Sequence, residues 1–281
     1  MEPKKNQTKM TKKRNNLPTP KIVTLTTDFG LNDPYVAEMK GVILGICLDV
    51  VIVDVTHNVE KFNIKQGALM LATAAPYFPE NTIHVAVVDP GVGTQRRPII
   101  VQTKRNVFVG PDNGVLMLAA ESQGIEHTYK IEEDKFVSAQ VSNTFHGRDV
   151  FAPVAAHIAN GDVELEEFGP EINDAVKPEF SKIRRTKRGL VGEALHVDSF
   201  GNIITNINTK DFEQLKPVRL EVELPNLKLQ LKFAKTYAEV KPGEPLALIG
   251  SHGYFEIAVN QGNAAAKFQV QVGDKIVVSP V

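Results

Sequence analysis

What most limits this chain is a change of rhythm along it: short β-branched runs alternate with helical stretches up to about residue 169, and strand-like runs with hardly any helical periodicity follow. In the first stretch, residues 22–27, 51–55, 83–88, 99–103 and 107–109 are short and mostly apolar on both faces, the pattern of strands covered on both sides of a sheet. Between them, residues 35–48, 64–77, 113–122 and 149–159 carry apolar side chains at helical spacing. That alternation predicts βαβ units and a mostly parallel sheet, hence an α/β, Rossmann-like N-terminal domain.

Pro170, Pro178 and the basic run Lys182, Arg184, Arg185, Lys187 and Arg188 read as a connection over the surface. The expected division is a Rossmann-like catalytic domain over 21–175 and a C-terminal domain over 188–281. In the latter, runs at 190–197, 203–207, 219–224, 227–233, 246–249, 255–259 and 275–278 succeed one another with turn residues between them. They predict an all-β barrel or sandwich.

With 281 residues, 42% apolar and 23% charged, the chain has material for sizeable cores, which sets disordered and fibrous classes aside. Its one cysteine, Cys47, lies in the apolar run 42–48 and reads as a buried structural thiol in a reducing, cytoplasmic setting. No apolar stretch is long enough for a membrane span. Residues 1–20 contain Lys4, Lys5, Lys9, Lys12, Lys13 and Arg14 with no apolar core behind them, and read as a disordered basic arm rather than a secretory leader. A formal net charge of −1 for the whole chain argues against nucleic acid as a partner.

The chemistry-bearing residues gather where strands end. Thr26-Thr27-Asp28-Phe29-Gly30 closes the first strand, at the edge of a parallel sheet where ligands bind. Asp28 fits either a turn residue or a carboxylate accepting from two adjacent ribose hydroxyls. Val88-Asp89-Pro90-Gly91-Val92-Gly93 ends a second buried strand. It is either a tight turn with solvated arginines or a carboxylate to which Arg96, seven residues on, folds back to orient a water. Thr144-Phe145-His146-Gly147-Arg148-Asp149 precedes a helix, with Asp149 as a first-turn carboxylate and Arg148 as a brace. The loops Asp198-Ser199-Phe200-Gly201-Asn202, Ser251-His252-Gly253-Tyr254 and Asn260-Gln261-Gly262-Asn263-Ala264 suit hairpin turns as well as recognition. Neither G-x-G-x-x-G nor G-x-x-x-x-G-K-[ST] occurs, nor H-E-x-x-H, so a nucleoside without pyrophosphate is expected, with no cofactor and no metal.

Taken in order, these segments together with Gly110-Pro111-Asp112-Asn113-Gly114 resemble the S-adenosylmethionine hydroxide adenosyltransferases over about residues 21 to 281. The resemblance implies a Rossmann-like domain joined to a β-barrel and hydrolysis of S-adenosylmethionine to adenosine and methionine. It further implies a homotrimer with each active site between the N-terminal domain of one subunit and the C-terminal domain of the next. Asp89, Arg96 and His146 match the residues that position water; the similar halogenases have a tyrosine in place of Asp89. By the same resemblance Asp28 binds ribose, Phe62 lines the sugar pocket and Asn202 contacts adenine. Asp198 pairs with the methionine ammonium and Ser251 meets its carboxylate. His252 stands where the fluorinase has a carboxylate-binding arginine, and Asn260 with Ala264 lies near adenine. A halide-using adenosyltransferase and a non-catalytic adenosyl-ligand sensor are the alternatives; the complete trio favours water.

Overall fold

The computed structural model describes residues 21–161, 163–187, 189–212 and 219–281. The basic arm at 1–20 and Arg188 lie outside the described residues. The first half runs β1 (Ile22–Thr27), α1 (Tyr35–Ile46), β2 (Val51–Thr56), α2 (Ile64–Ala74), β3 (Ile83–Val87), β4 (Pro98–Thr103), β5 (Val107–Pro111), α3 (Met117–Gln123), β6 (Ile125–Lys130) and α4 (Ala152–Asn160). The second continues with β7 (Arg184–Arg185), β8 (Leu190–Val197), β9 (Ile203–Asn208), α5 (Thr209–Phe212), β10 (Arg219–Leu224), β11 (Leu227–Phe233), β12 (Pro245–Ile249), β13 (Tyr254–Val259), α6 (Ala264–Phe268) and β14 (Lys275–Pro280).

Among these residues the first sheet has the order β2-β1-β3-β5-β4-β6. β2, β1, β3 and β5 pair in parallel, and β4 runs against β5 and β6. Every residue of β1 and β3 is buried, as expected of mostly apolar strands covered on both faces; His84 of β3 is buried with the rest. β2 departs from that expectation: it is the sheet's edge, and Val51 is left exposed. Met39 and Ile43 of α1 and Val154 of α4 pack on one face, in the cluster that holds Val23, Leu25 and Val85. Leu71 of α2 and Ala120 of α3 pack on the other with Val101 and Phe108. Each of the larger of these side chains, the valines, leucines, isoleucine, methionine and phenylalanine, contributes about 1.5–3 kcal/mol on burial.

The chain leaves β1 for β2 on one side and returns through α2 to β3 on the other, so the strand order switches between β1 and β3. The carboxyl ends of those two strands deliver Asp28 and Asp89 to that crevice, where open α/β sheets bind ligands.

The second half closes on itself. Strands β14, β10, β11, β12, β13, β9 and β8 pair in sequence, and β14 pairs back to β8, giving a seven-stranded barrel with β7 added outside β8. Closure leaves those seven strands without a free edge. Leu190, Ile203, Val222, Phe255 and Ile276 fill the interior. The halves meet where Leu69 of α2 packs on Leu195 and Ile204, flanked by a Lys65–Glu193 ion pair of 2.7 Å. No helix among the described residues is long and apolar enough to cross a membrane.

Candidate active site

The stretch between β6 and α4 sets the position of His146. Its last five residues, Gly147–Phe151, form a single π-helical turn, and the Ala152 N–H reaches back to the Gly147 carbonyl. Such one-residue expansions of a helix recur at functional sites. Here the turn buries Asp149, whose carboxylate accepts from the Ser142 N–H at 2.8 Å and from Arg148 Nε at 2.7 Å. Arg148 also reaches Glu38 on α1 at 2.8 Å, so the loop carrying His146 is braced against the neighbouring helix.

Asp89, Arg96 and His146 meet. Arg96 Nε lies 3.1 and 3.0 Å from the two Asp89 oxygens, and Nη2 lies 2.6 Å from Oδ2. The same Nη2 is 2.7 Å from His146 Nδ1. A guanidinium only donates, so Nδ1 is the acceptor and the proton of the neutral imidazole sits on Nε2. Burial, and next the Arg96 cation, push the His146 pKa below 6.5, with Asp89 and Asp149 opposing. The Asp89 and Arg96 side chains are 5% and 9% exposed, and the guanidinium lies over the Phe151 ring, 5.3 Å from its centroid. Arg96 Nη1 is buried with no hydrogen-bond partner among the described residues.

Asp89 and His146 face a cavity of about 400 Å³ that Asp28, Lys61 and Phe62 also line, while Arg96 sits behind it. Asp28 is buried, with Oδ2 accepting from the Phe62 N–H at 2.8 Å and its carbonyl from Lys61 Nζ at 2.5 Å. Phe62 adopts φ +65°, a left-handed conformation rare for a bulky residue, and the residue is 68% exposed at the cavity mouth. Phe29, Tyr35 and Phe145 form an aromatic wall, edge to face with centroids 5.1 to 6.0 Å apart.

The remaining sequence-derived residues gather on the barrel. Asp198, Asn202, Ser251, His252 and Asn260 line a separate cavity of about 650 Å³. Asp198 Oδ1 accepts from the N–H groups of Phe200 and Asn202, both at 2.9 Å, and Oδ2 from Asn202 Nδ2 at 3.0 Å. Gly201 has φ +83°, and a Cβ there would come within 2.1 Å of Asn263, so only glycine closes this turn. Ala264 is fully buried at the start of α6 and lines neither cavity. Within one chain the two sets of residues do not converge on a common cavity.

With this geometry in hand, the sequence matches the family model for the SAM hydroxide adenosyltransferase N-terminal domain over residues 23–169, and that for the C-terminal domain over 192–277. The chain belongs to the SAM hydroxide adenosyltransferases. Relatives within this family include a protein of Methanocaldococcus jannaschii named (R)-S-adenosyl-L-methionine hydrolase, 40% identical over 91% of this chain and 94% of that one. Another protein of the same name, from Thermus thermophilus, is 36% identical over 89% and 96%. A fluorinase of Actinopolyspora mzabensis is 27% identical over 92% and 97%. Among solved structures, a conserved protein of Thermotoga maritima superposes with a TM-score of 0.85 at 38% identity, covering 92% of this chain and 99% of that one.

Two residues of this SAM hydroxide adenosyltransferase that line the barrel cavity were not singled out from the sequence, Tyr237 and Glu256. Glu256 had a visible signal, since it is the one charged residue in the otherwise apolar run Phe-Glu-Ile-Ala-Val of β13. Tyr237 had none; it stands on a short 3-10 turn with no motif around it. Lys61, next to Phe62, and Tyr35, the first residue of α1, also line the cavity of the N-terminal half without having been singled out from the sequence.

Proposed function

We propose that this chain hydrolyses the (R) sulfonium epimer of S-adenosyl-L-methionine to adenosine and L-methionine, with water attacking the ribose 5' carbon. The observation that carries the reading is the Asp89–Arg96–His146 cluster, with Asp89 and His146 facing one cavity with Asp28 at the strand-order switch. The names and identities of the relatives support it, and the (R) epimer rests on those names.

The sulfonium departs as a neutral thioether, so the leaving group needs no acid. Water is the weak partner, with a pKa of about 15.7 in bulk, and fixed side chains must aim it and share its developing charge. Asp89 accepts a hydrogen of the water, and His146 steadies its oxygen from Nε2–H. Arg96 acts through both, since one fork holds the carboxylate and fixes the imidazole tautomer. Asp28, anchored by the Phe62 N–H, takes the ribose hydroxyls and leaves the 5' carbon towards Asp89 and His146. Orientation of this kind is worth several powers of ten in rate.

The barrel residues Asp198, Asn202, Ser251, His252 and Asn260 bind the adenine and methionine ends in this reading, with Ala264 acting from beneath the adenine loop. Because they line a different cavity from Asp28 and Asp89, we assign the complete site to a homotrimer that sets the barrel of one subunit against the N-terminal half of the next. The domains would span 21–175 and 188–281, and the enzyme would work in the cytoplasm.

Incubation with each sulfonium epimer in ¹⁸O-labelled water tests the proposal. Adenosine carrying the label, formed from the (R) epimer, is the expected result; no adenosine, or adenosine without label, would overturn it.

A further inference from the structure

The floor of the barrel cavity holds a chain of three side chains whose arrangement bears on which substrates fit. Glu256, only 2% exposed, accepts from the Tyr237 hydroxyl at 2.7 Å, and His252 Nε2 lies 3.2 Å from its other oxygen. On the far side of the ring, His252 Nδ1 accepts the backbone N–H of Tyr254 at 3.2 Å. A nitrogen that accepts a backbone hydrogen carries no proton, so the single ring hydrogen is on Nε2 and is spent on Glu256. Gly250 makes room for the pair: a Cβ there would lie 2.5 Å from His252 Nε2 and 2.6 Å from the Glu256 carboxylate.

His252 is therefore an uncharged ring whose donor is turned inward. The cavity it helps to line contains two carboxylates, Asp198 and Glu256, and among the described residues no lysine or arginine. A cavity so charged attracts an ammonium and offers an α-carboxylate only neutral partners such as Ser251. Lys61, which lines the cavity of the N-terminal half, has its ammonium on the Asp28 carbonyl.

We infer that this cavity holds the amino-acid end of the substrate by its ammonium, without a cation for its carboxylate, so that the enzyme also hydrolyses adenosyl sulfonium amines lacking the carboxylate. The inference rests on the proposed hydrolase reading. The reaction balances as before: the water oxygen bonds to the 5' carbon and the carbon–sulfur bond breaks. Sulfur keeps the electron pair as a neutral thioether, the nitrogen stays an ammonium, and one proton passes to solvent.

The test compares adenosine release by the full chain from S-adenosyl-L-methionine and from its decarboxylated analogue, each in the same sulfonium configuration. The expected kcat/KM for the amine is within about tenfold of that for the amino acid, whereas deleting a carboxylate from a cation-paired site costs on the order of a hundredfold. A loss of that size with the parent substrate still turned over would overturn the inference and leave the hydrolase reading standing. Hydrolysis of neither compound would overturn both. Replacing His252→Arg supplies the missing cation and is expected to raise the preference for the carboxylate-bearing substrate by about tenfold. An active variant with an unchanged preference would also count against it, and the wild-type comparison decides the matter if the variant does not fold.

Discussion

The Arg96 guanidinium donates to Nδ1 of His146 across 2.7 Å, and that one bond decides which side of the imidazole carries its hydrogen. The ring then presents an N–H to the cavity instead of a lone pair. His146 accordingly serves as a donor in the proposed reaction, and Asp89 is the acceptor.

The bond predicts a pH profile. Because burial and the Arg96 charge hold the His146 pKa below 6.5, the ring stays neutral in the folded enzyme until the pH falls below that value. Activity should be level from about pH 8 down to 6.5 and decline only beneath it. An acid limb in kcat/KM centred above 6.5 would contradict this assignment.

Replacing Arg96→Lys keeps the charge and removes the fork. A single ammonium cannot span both Asp89 oxygens and the imidazole, so kcat should drop by about a hundredfold or more with KM within about threefold. Steady-state kinetics with purified variant resolve the two parameters, and a selective rise in KM would place Arg96 in binding.

Asp28→Asn should show the opposite split. The amide retains an acceptor for the Phe62 N–H but loses the charge offered to the ribose, and a hydrogen bond to a charged group is worth about 1.5–3 kcal/mol against about 0.5–1.5 for a neutral one. KM is expected to rise roughly tenfold or more, with kcat affected less. An unchanged KM would remove Asp28 from the sugar site.

A stability prediction concerns His84, buried between β1 and β5. Asn106 Nδ2 donates to its Nε2 at 3.2 Å, so its Nδ1–H is directed to Thr24 Oγ1 at 2.7 Å. Burial pushes its pKa down from 6.5 to about 3. Between those values the unfolded chain binds the proton and the folded one does not, so the contribution is complete above 6.5 and is lost as the pH falls towards 3. At about 1.4 kcal/mol per pKa unit the full loss is several kcal/mol. Urea unfolding at pH 7 and pH 4.5 measures it, and His84→Gln should flatten the difference.

Much of the fold was legible because its strands are extreme. β1 is almost all β-branched and β3 is apolar but for His84, and their buried ends carry Asp28 and Asp89. Where polar residues interrupt the period, legibility fails. β6, Ile-Glu-His-Thr-Tyr-Lys, has no apolar alternation to read. The helix expected from residue 113 begins at Met117, because the Asn113 side chain is committed to the Val88 carbonyl at 2.8 Å and the Val115 N–H at 3.1 Å. Spacing brought Arg96 to Asp89, but no pattern could say that it lies behind the cavity, nor which hydrogen His146 and His252 keep.

The π turn at Gly147–Phe151 has a consequence for how this region tolerates change. It carries one residue more than an α-helical turn would need, and each residue of a helix rotates what precedes it by about 100°. Deleting any one of the five would let the segment relax into ordinary α-helix while swinging His146 around the axis, off the Arg96 fork. Length, quite apart from side-chain identity, is thus under constraint here, and shortening this turn should disable the enzyme even with Asp89, Arg96 and His146 all kept.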